Sequence, residues 1–386
     1  MGDARVPWNY EYEEIARSLL TAGRYAWDFY GLAPAQPTAF IPPLYPLLLA
    51  FAGWLRAAWA LQAIQILLSL GTVVAVYGLS LSLRAREEEA LTAGLLTAIY
   101  PPLASYAVTI STVTLEAFFL VIGSWLLVLA GRRLSLASAL GGGAALAAAG
   151  LTRSTWLALL PLALVWLAWY PVAASLRRRL GLGLLVLLGA ALVCLPWGAY
   201  NSRTFGVWSV SSTNGGLNFW IGNNPQATGE YVFPTEIDPD LVRQAAALPE
   251  FERDRFFYAR GLQSVTAAPW RAARLYGLKL VYYLFFRPNI GSNYSQATLP
   301  LGLAQMLFIA SWLVSLPLAV LGLTRLGPSR REHSWLALAL VSQALLTAAF
   351  FAGTRFRTPL DVFALIWAAI GLVALWHRVR PIRQIA

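Results

Sequence analysis

The topology of the chain turns on IPPLYPLLLAFAGWLR, residues 41–56. The stretch is apolar but short, and its prolines cluster at the start, at 42, 43 and 46. A helix crossing the hydrocarbon layer needs ~20 apolar residues. Counting this stretch as a crossing would reverse every later loop and break the pattern of charge between them. It reads instead as an interfacial or re-entrant helix.

Outward from it, long apolar runs recur at about 59–82, 91–109, 113–131, 134–151, 155–172, 181–199, 300–324, 334–352 and 360–377. Arginines at 84 and 86, 132–133, 177–179, 325, 330–331, 378, 380 and 383 then all fall in loops on one side. The opposite short loops hold only Arg153, Arg355 and Arg357. Positive charge marks the cytoplasmic side, so residues 1–40 and the long stretch 200–298 are expected outside. The expectation is an all-α polytopic membrane protein with about nine transmembrane helices, interfacial helices and a small exterior loop region. It divides into a first exterior loop with interfacial helices (1–58), a six-helix part (59–199), an exterior cap with an amphipathic surface helix (200–298) and a three-helix C-terminal part (299–386). The residues after Met1 are polar, unlike the apolar core of a cleavable signal peptide. An odd number of spans with an exterior start implies an absent first helix.

Composition agrees. The 386 residues are 58% hydrophobic and only 12% charged, with mean hydropathy +0.59, too apolar for an ordinary soluble domain. The alternation of barrel strands is absent. The net charge of +11 is almost all arginine, Lys279 being the single lysine. Topology accounts for most of it, which removes the case for nucleic acid. Cys194 stands alone, which excludes an internal disulfide. His333 and His377 both fall beside cytoplasmic loops, away from any exterior metal site. The glycine run GGGAALAAAG (141–150) lacks the strand and the Gly-Lys-Ser/Thr ending of a phosphate loop and reads as close helix packing.

An exterior site constrains the chemistry. Nucleotide-activated donors are cytoplasmic, so an exterior transferase needs its activated group delivered on a lipid. It then requires a carboxylate to take the acceptor's proton, cations for the departing phosphate, and a groove for the tail. NYEYEEIARSLL (9–20) offers Glu11, Glu13 and Glu14, with Glu11 and Glu14 on one helical face. The same acids also suit a solvated helix start. Glu116, near the outer end of a span, is a costly group in a membrane segment, or an interfacial carboxylate reaching headgroup water. Arg153, Arg355, Arg357, Lys279 and Arg287 are cations on the face where positive charge is least expected. Phosphate binding explains them, as does headgroup anchoring. Within the turn-rich STNGGLNFWIGNNPQATGEY (212–231), Asn214, Asn223 and Asn224 are candidates for the acceptor or the cap loop, and Trp220 for stacking on a sugar or burial in the cap. Asp361 reads as a helix N-terminal cap. No cofactor is evident. Three glutamates could share a divalent cation, but no dedicated ligand set stands out.

Several stretches in order, YEYEEIARSLL, PTAFIPPLYPLLLA, AIYPPLASYA, LEAFFL, AALAAAGLTRSTWLALLP, LPWGAYNSRTFG, STNGGLNFWIGNNPQATGEY and RFRTPLDVFALIWAA, carry a family resemblance. The chain resembles bacterial GT-C glycosyltransferases of the family-39-like branch, related to dolichyl-phosphate-mannose–protein mannosyltransferases and aminoarabinose transferases. The resemblance implies an inner-membrane enzyme moving a sugar, with inversion, from a polyprenyl-phosphate donor to a lipid, glycan or protein acceptor on the exterior face. It carries the role of catalytic acid in the first exterior loop to Glu11 or Glu14, with Tyr12 standing where some relatives have aspartate. It matches Glu116 to the acid of a Ser/Thr-Glu-x-Leu-Phe-like motif in which Leu115 replaces the hydroxyl residue. The expected rival is a lipid-linked-sugar transporter or flippase without chemistry. That reading calls for charges spread through the spans, whereas here they gather at one face.

Overall fold

The structure is a computed structural model that describes residues 11–57, 59–170, 174–285 and 301–379. The chain opens with α1 (Glu11–Ala22), a two-residue antiparallel hairpin of β1 (Ala26–Trp27) and β2 (Gln36–Pro37), and α2 (Leu44–Trp54). α3 (Ala60–Ser82), α4 (Glu87–Ile99), α5 (Pro101–Tyr106), α6 (Val113–Arg133) and α7 (Leu136–Gly150) follow. A 3-10 turn over Ser154–Ala158 leads into α8 (Leu159–Trp169), and α9 (Leu176–Phe205) completes the first bundle. The stretch expected to form the cap holds α10 (Gly215–Asn223), α11 (Pro234–Ile237), α12 (Pro239–Ala246), α13 (Glu250–Ala267) and α14 (Pro269–Leu284). The chain closes with α15 (Leu301–Thr324), α16 (Arg330–Ala349) and α17 (Thr354–Val379).

Among the described residues each of the nine apolar runs lies mostly on helix. Among the described residues five helices are long and apolar enough to cross a bilayer: α3, α6, α9, Gln305–Thr324 of α15, and α17. A sixth candidate is the pair Glu87–Ile99 and Pro101–Val108, bent by 52°. Pro101 causes the bend, because the residue before a proline is driven out of the helical region, and Tyr100 is extended. α2 has eleven residues and a length of about 16 Å, half of a ~30 Å hydrocarbon core.

The outward surface confirms the solvent. Leu184, Leu188, Leu192 and Leu195 form an exposed stripe along α9, and Leu67, Leu70 and Val74 one along α3. Apolar stripes of this length on the outside of a helix suit lipid, not water. The protein is a multi-pass helical membrane protein. Inside, small residues set the packing. A Cβ at Gly143 would lie 2.0 Å from the Val186 carbonyl, and one at Gly189 only 1.9 Å from that of Leu140, so α7 and α9 approach backbone to backbone.

The first segment is stitched onto one end of this bundle. The Tyr25 hydroxyl donates to Ile41 O, Tyr200 to Tyr25 O, and the Leu44 amide to Leu151 O. Glu250 of α13 ties the hairpin to the cap, accepting from Thr38, the Ala39 amide and Thr213 while pairing with Arg253.

Candidate active site

Helical periodicity places Glu11 and Glu14 on one face of α1 and turns Glu13 inward, where it is buried. The other half of this wall comes from the turn after β1. Phe29, Tyr30 and Gly31 are consecutive left-handed residues, with φ of 44°, 61° and 73°. For bulky side chains this is rare and costs about 1–3 kcal/mol each. Local bonds offset it: Asp28 Oδ1 accepts the Gly31 amide at 3.1 Å, and the Leu32 and Ala33 amides reach Phe29 O and Asp28 O. Trp27, Phe29, Tyr30 and Phe40 pack their rings together, mostly edge to face. The turn thus aims two donors at α1. The Tyr30 hydroxyl donates to Glu11 Oε1 at 3.1 Å, and Trp27 Nε1–H donates to Glu14 Oε2 at 2.8 Å.

Both carboxylates border a cavity of about 1150 Å³. Asp28 and Glu236 add acid to its lining; Arg153 and Arg355 supply cations; Ser154, Ser212, Asn214 and Asn218 supply neutral polar groups; Phe350, Phe351 and Phe356 form an apolar wall. Burial raises the Glu11 pKa above its usual value, opposed by its own backbone, by Tyr30 and by the charge of Arg355. Burial also raises that of Glu14, and the neighbouring carboxylate of Asp28 pushes it the same way, against the pull of Trp27 and Arg17.

The other expected carboxylate is enclosed. Glu116 is 0% exposed; its oxygens accept from Arg153 Nε at 3.0 and 3.1 Å and from Trp156 Nε1 at 2.8 Å. Thr112 Oγ1 takes another Arg153 N–H at 3.2 Å. Glu116 is absent from the cavity lining and acts on it through Arg153, whose guanidinium sits 4.7 Å from the Phe356 ring centre. Arg355 lies 5.0 Å from the same ring, so two cations gather about one aromatic side chain.

The remaining expected cations lie elsewhere. Arg357 is buried in α17, bonded to Asp361 at 2.8 Å and to the carbonyls of Tyr283 and Leu284, and stacked 3.6 Å from the Trp312 ring centre. Asp361 is therefore a mid-helix partner of Arg357 and Tyr100, not a helix cap, because α17 starts at Thr354. Lys279 is buried, its Nζ donating to Asn223 Oδ1 at 3.0 Å, and burial lowers its pKa to about 7. Arg287 lies outside the described residues.

In the cap, Asn214 lines the cavity and accepts from the Ser212 hydroxyl. Trp220, Asn223 and Asn224 are buried and do not line it. Asn223 donates to Phe219 O and Ala349 O. Asn224 donates to Trp220 O and Ile221 O and accepts the Gln226 amide. Gly222 lies so close to the residue that follows α16 that a Cβ would be 1.8 Å from Phe350 O. The Gly-Asn-Asn-Pro stretch is thus a clamp behind the cavity's aromatic wall. Trp27, Asp28 and Tyr30 were not singled out from the sequence. Their available signal is the Asp-x-x-Gly spacing of a side-chain-capped turn within a run of aromatic residues.

Among the described residues no group of three or more His, Cys, Asp or Glu side chains could hold a metal ion. The three-glutamate grouping considered above is not made, since Glu13 faces inward while Glu11 and Glu14 bond different partners.

No family profile and no curated protein matches the sequence. Solved structures do. The archaeal oligosaccharyltransferase AglB from Archaeoglobus fulgidus, in complex with an inhibitory peptide and a dolichol-phosphate, superposes with a TM-score of 0.57 at 16% identity, over 98% of this chain and 48% of that one. The oligosaccharyltransferase from the same organism in complex with Zn and sulfate gives 0.55 at 14% identity, over 97% and 45%. This chain spans about half the length of those enzymes. ArnT from Cupriavidus metallidurans bound to undecaprenyl phosphate gives 0.41 at 15% identity, over 97% and 75%, too loose a likeness to carry an argument. The chain shares the fold of these archaeal oligosaccharyltransferases over nearly its whole length.

Proposed function

We propose that this chain is a membrane glycosyltransferase that moves a sugar from a polyprenyl-phosphate-linked donor to an acceptor hydroxyl or amide on the exterior face of a bacterial inner membrane. The observation that carries the reading is one cavity lined by paired carboxylates, Glu11 and Glu14, and by the cations Arg153 and Arg355. The solved oligosaccharyltransferase holding a dolichol-phosphate supports the donor class. In this reading α7, α8 with its leading turn, and α16 complete nine crossings.

The chemistry follows from the parts. A glutamate takes the acceptor's proton as its heteroatom attacks the anomeric carbon opposite the phosphate. The carbon–oxygen bond to phosphate breaks with inversion, and the lipid phosphate leaves as an anion beside Arg355 and Arg153. That anion is stable, so no separate acid is required. Glu116 fixes Arg153. Ile41, Pro42, Leu346 and Phe350 give the isoprenoid end an apolar approach. A divalent cation would bind through donor phosphate as much as through protein.

The test is to incubate the purified protein with a panel of polyprenyl-phosphate sugars and acceptors and measure free lipid phosphate. Release that requires the protein and an acceptor is expected. A transporter would move the donor across vesicles and release none, which would overturn the reading.

A further inference from the structure

We propose that the Trp27–Gly31 turn is a positioning device that separates the two glutamates, Tyr30 holding Glu11 as the base and Trp27 holding Glu14 aside from it. The inference rests on the glycosyltransferase reading and deepens it by naming which acid acts.

Three observations carry it. First, each carboxylate has its own aromatic donor from a single turn, 3.1 Å to Glu11 and 2.8 Å to Glu14. Second, Phe29 and Tyr30 both adopt left-handed backbone, a geometry that bulky residues keep only where the surroundings over-determine it. Relaxing either would swing the Tyr30 hydroxyl away from α1. Third, the neighbours differ. Glu11, Glu14, Asp28 and Arg355 line one cavity; within it the charge of Arg355, the cation assigned to the leaving phosphate, acts on Glu11, whereas the carboxylate of Asp28 acts on Glu14. A base must stand where acceptor and leaving group meet, and only Glu11 has that cation acting on it.

Among the described residues, the titratable and charged groups that bond to or act on Glu11 are Tyr30 from the turn, Arg355 from α17 and Glu14 on its own helix. Tyr231 lies against the Tyr30 hydroxyl. A hydroxyl donating to a carboxylate favours its charged form. Removing that hydroxyl therefore shifts Glu11 titration to higher pH, while Phe at 30 keeps the ring packing.

The test uses the purified full chain. Infrared difference spectra across a pH titration identify the Glu11 carboxyl band by its loss in Glu11→Gln. In Tyr30→Phe this band must titrate at higher pH; in Trp27→Phe it must stay. A general collapse of the turn would move it in both, and an unmoved band in Tyr30→Phe would refute positioning; either result overturns the proposal. In turnover assays Tyr30→Phe should lose roughly tenfold in kcat with KM little changed and its acid limb displaced upward. Glu14→Gln should retain measurable transfer while Glu11→Gln does not; the reverse order would also overturn it. If the wild type transfers no sugar from any donor, the glycosyltransferase reading fails, and the infrared titration still decides whether Tyr30 sets the state of Glu11.

Discussion

Glu11 and Glu116 both stand in the first turn of a helix, and they do opposite things. Glu11 borders a large cavity, where it is partly exposed and, among the described residues, accepts one side-chain hydrogen bond. Glu116 is sealed, with an arginine and a tryptophan on its two oxygens. Cost of burial alone does not tell a reactive group from a structural one, because both are expensive. What separates them is how many strong partners each has and whether space remains beside it for a substrate.

The largest effect should come from the sealed member. Glu116→Leu takes the carboxylate from the Arg153 guanidinium, leaving it the Thr112 hydroxyl, and should cost about 3–5 kcal/mol, read as a fall in the thermal transition of detergent-purified protein. The open members should do the reverse. The double change Glu11→Gln, Glu14→Gln should leave that transition close to wild type and lower transfer by ~10²–10⁴-fold. If the double variant unfolds while Glu116→Leu stays folded, the contrast is wrong.

Next in size is the packing that holds both in register. Gly143→Val places side-chain atoms against the Val186 carbonyl and should cost about 1–3 kcal/mol as α7 and α9 separate; an unshifted thermal transition would refute the close approach.

Two smaller effects are read in pH. Arg355 pulls the Glu11 pKa down, so Arg355→Gln should move the acid limb of kcat/KM upward, beyond any loss in rate. Lys279 titrates near 7 when folded and at 10.5 in an ordinary environment. Between those values the unfolded chain binds the extra proton, so stability should rise with pH across that window. Lys279→Met should flatten the slope; an unchanged slope would place its origin elsewhere.

The sequence carried the helices because apolar length is a local, additive signal. The 41–56 stretch could be set apart by length, and α2 is indeed too short to cross. The pairing of Glu11 and Glu14 was also legible, since it follows from helical spacing alone. The partners of Arg357 and Lys279 were not. A cation beside a span looks the same in sequence whether it meets phosphate or, as here, Asp361 or Asn223, because those partners depend on how α10, α14 and α17 pack. Tyr30 was hidden for a different reason: nothing in WDFYG announces that its backbone is left-handed.

In the proposed reaction, sugar leaves its lipid phosphate in the space between α1 and Arg355. Single-turnover release of lipid phosphate, measured on matched amounts of wild type and the Glu11→Gln, Glu14→Gln variant, tests it most directly. The account predicts release by the wild type and none above background by the variant. Equal release by both would contradict it.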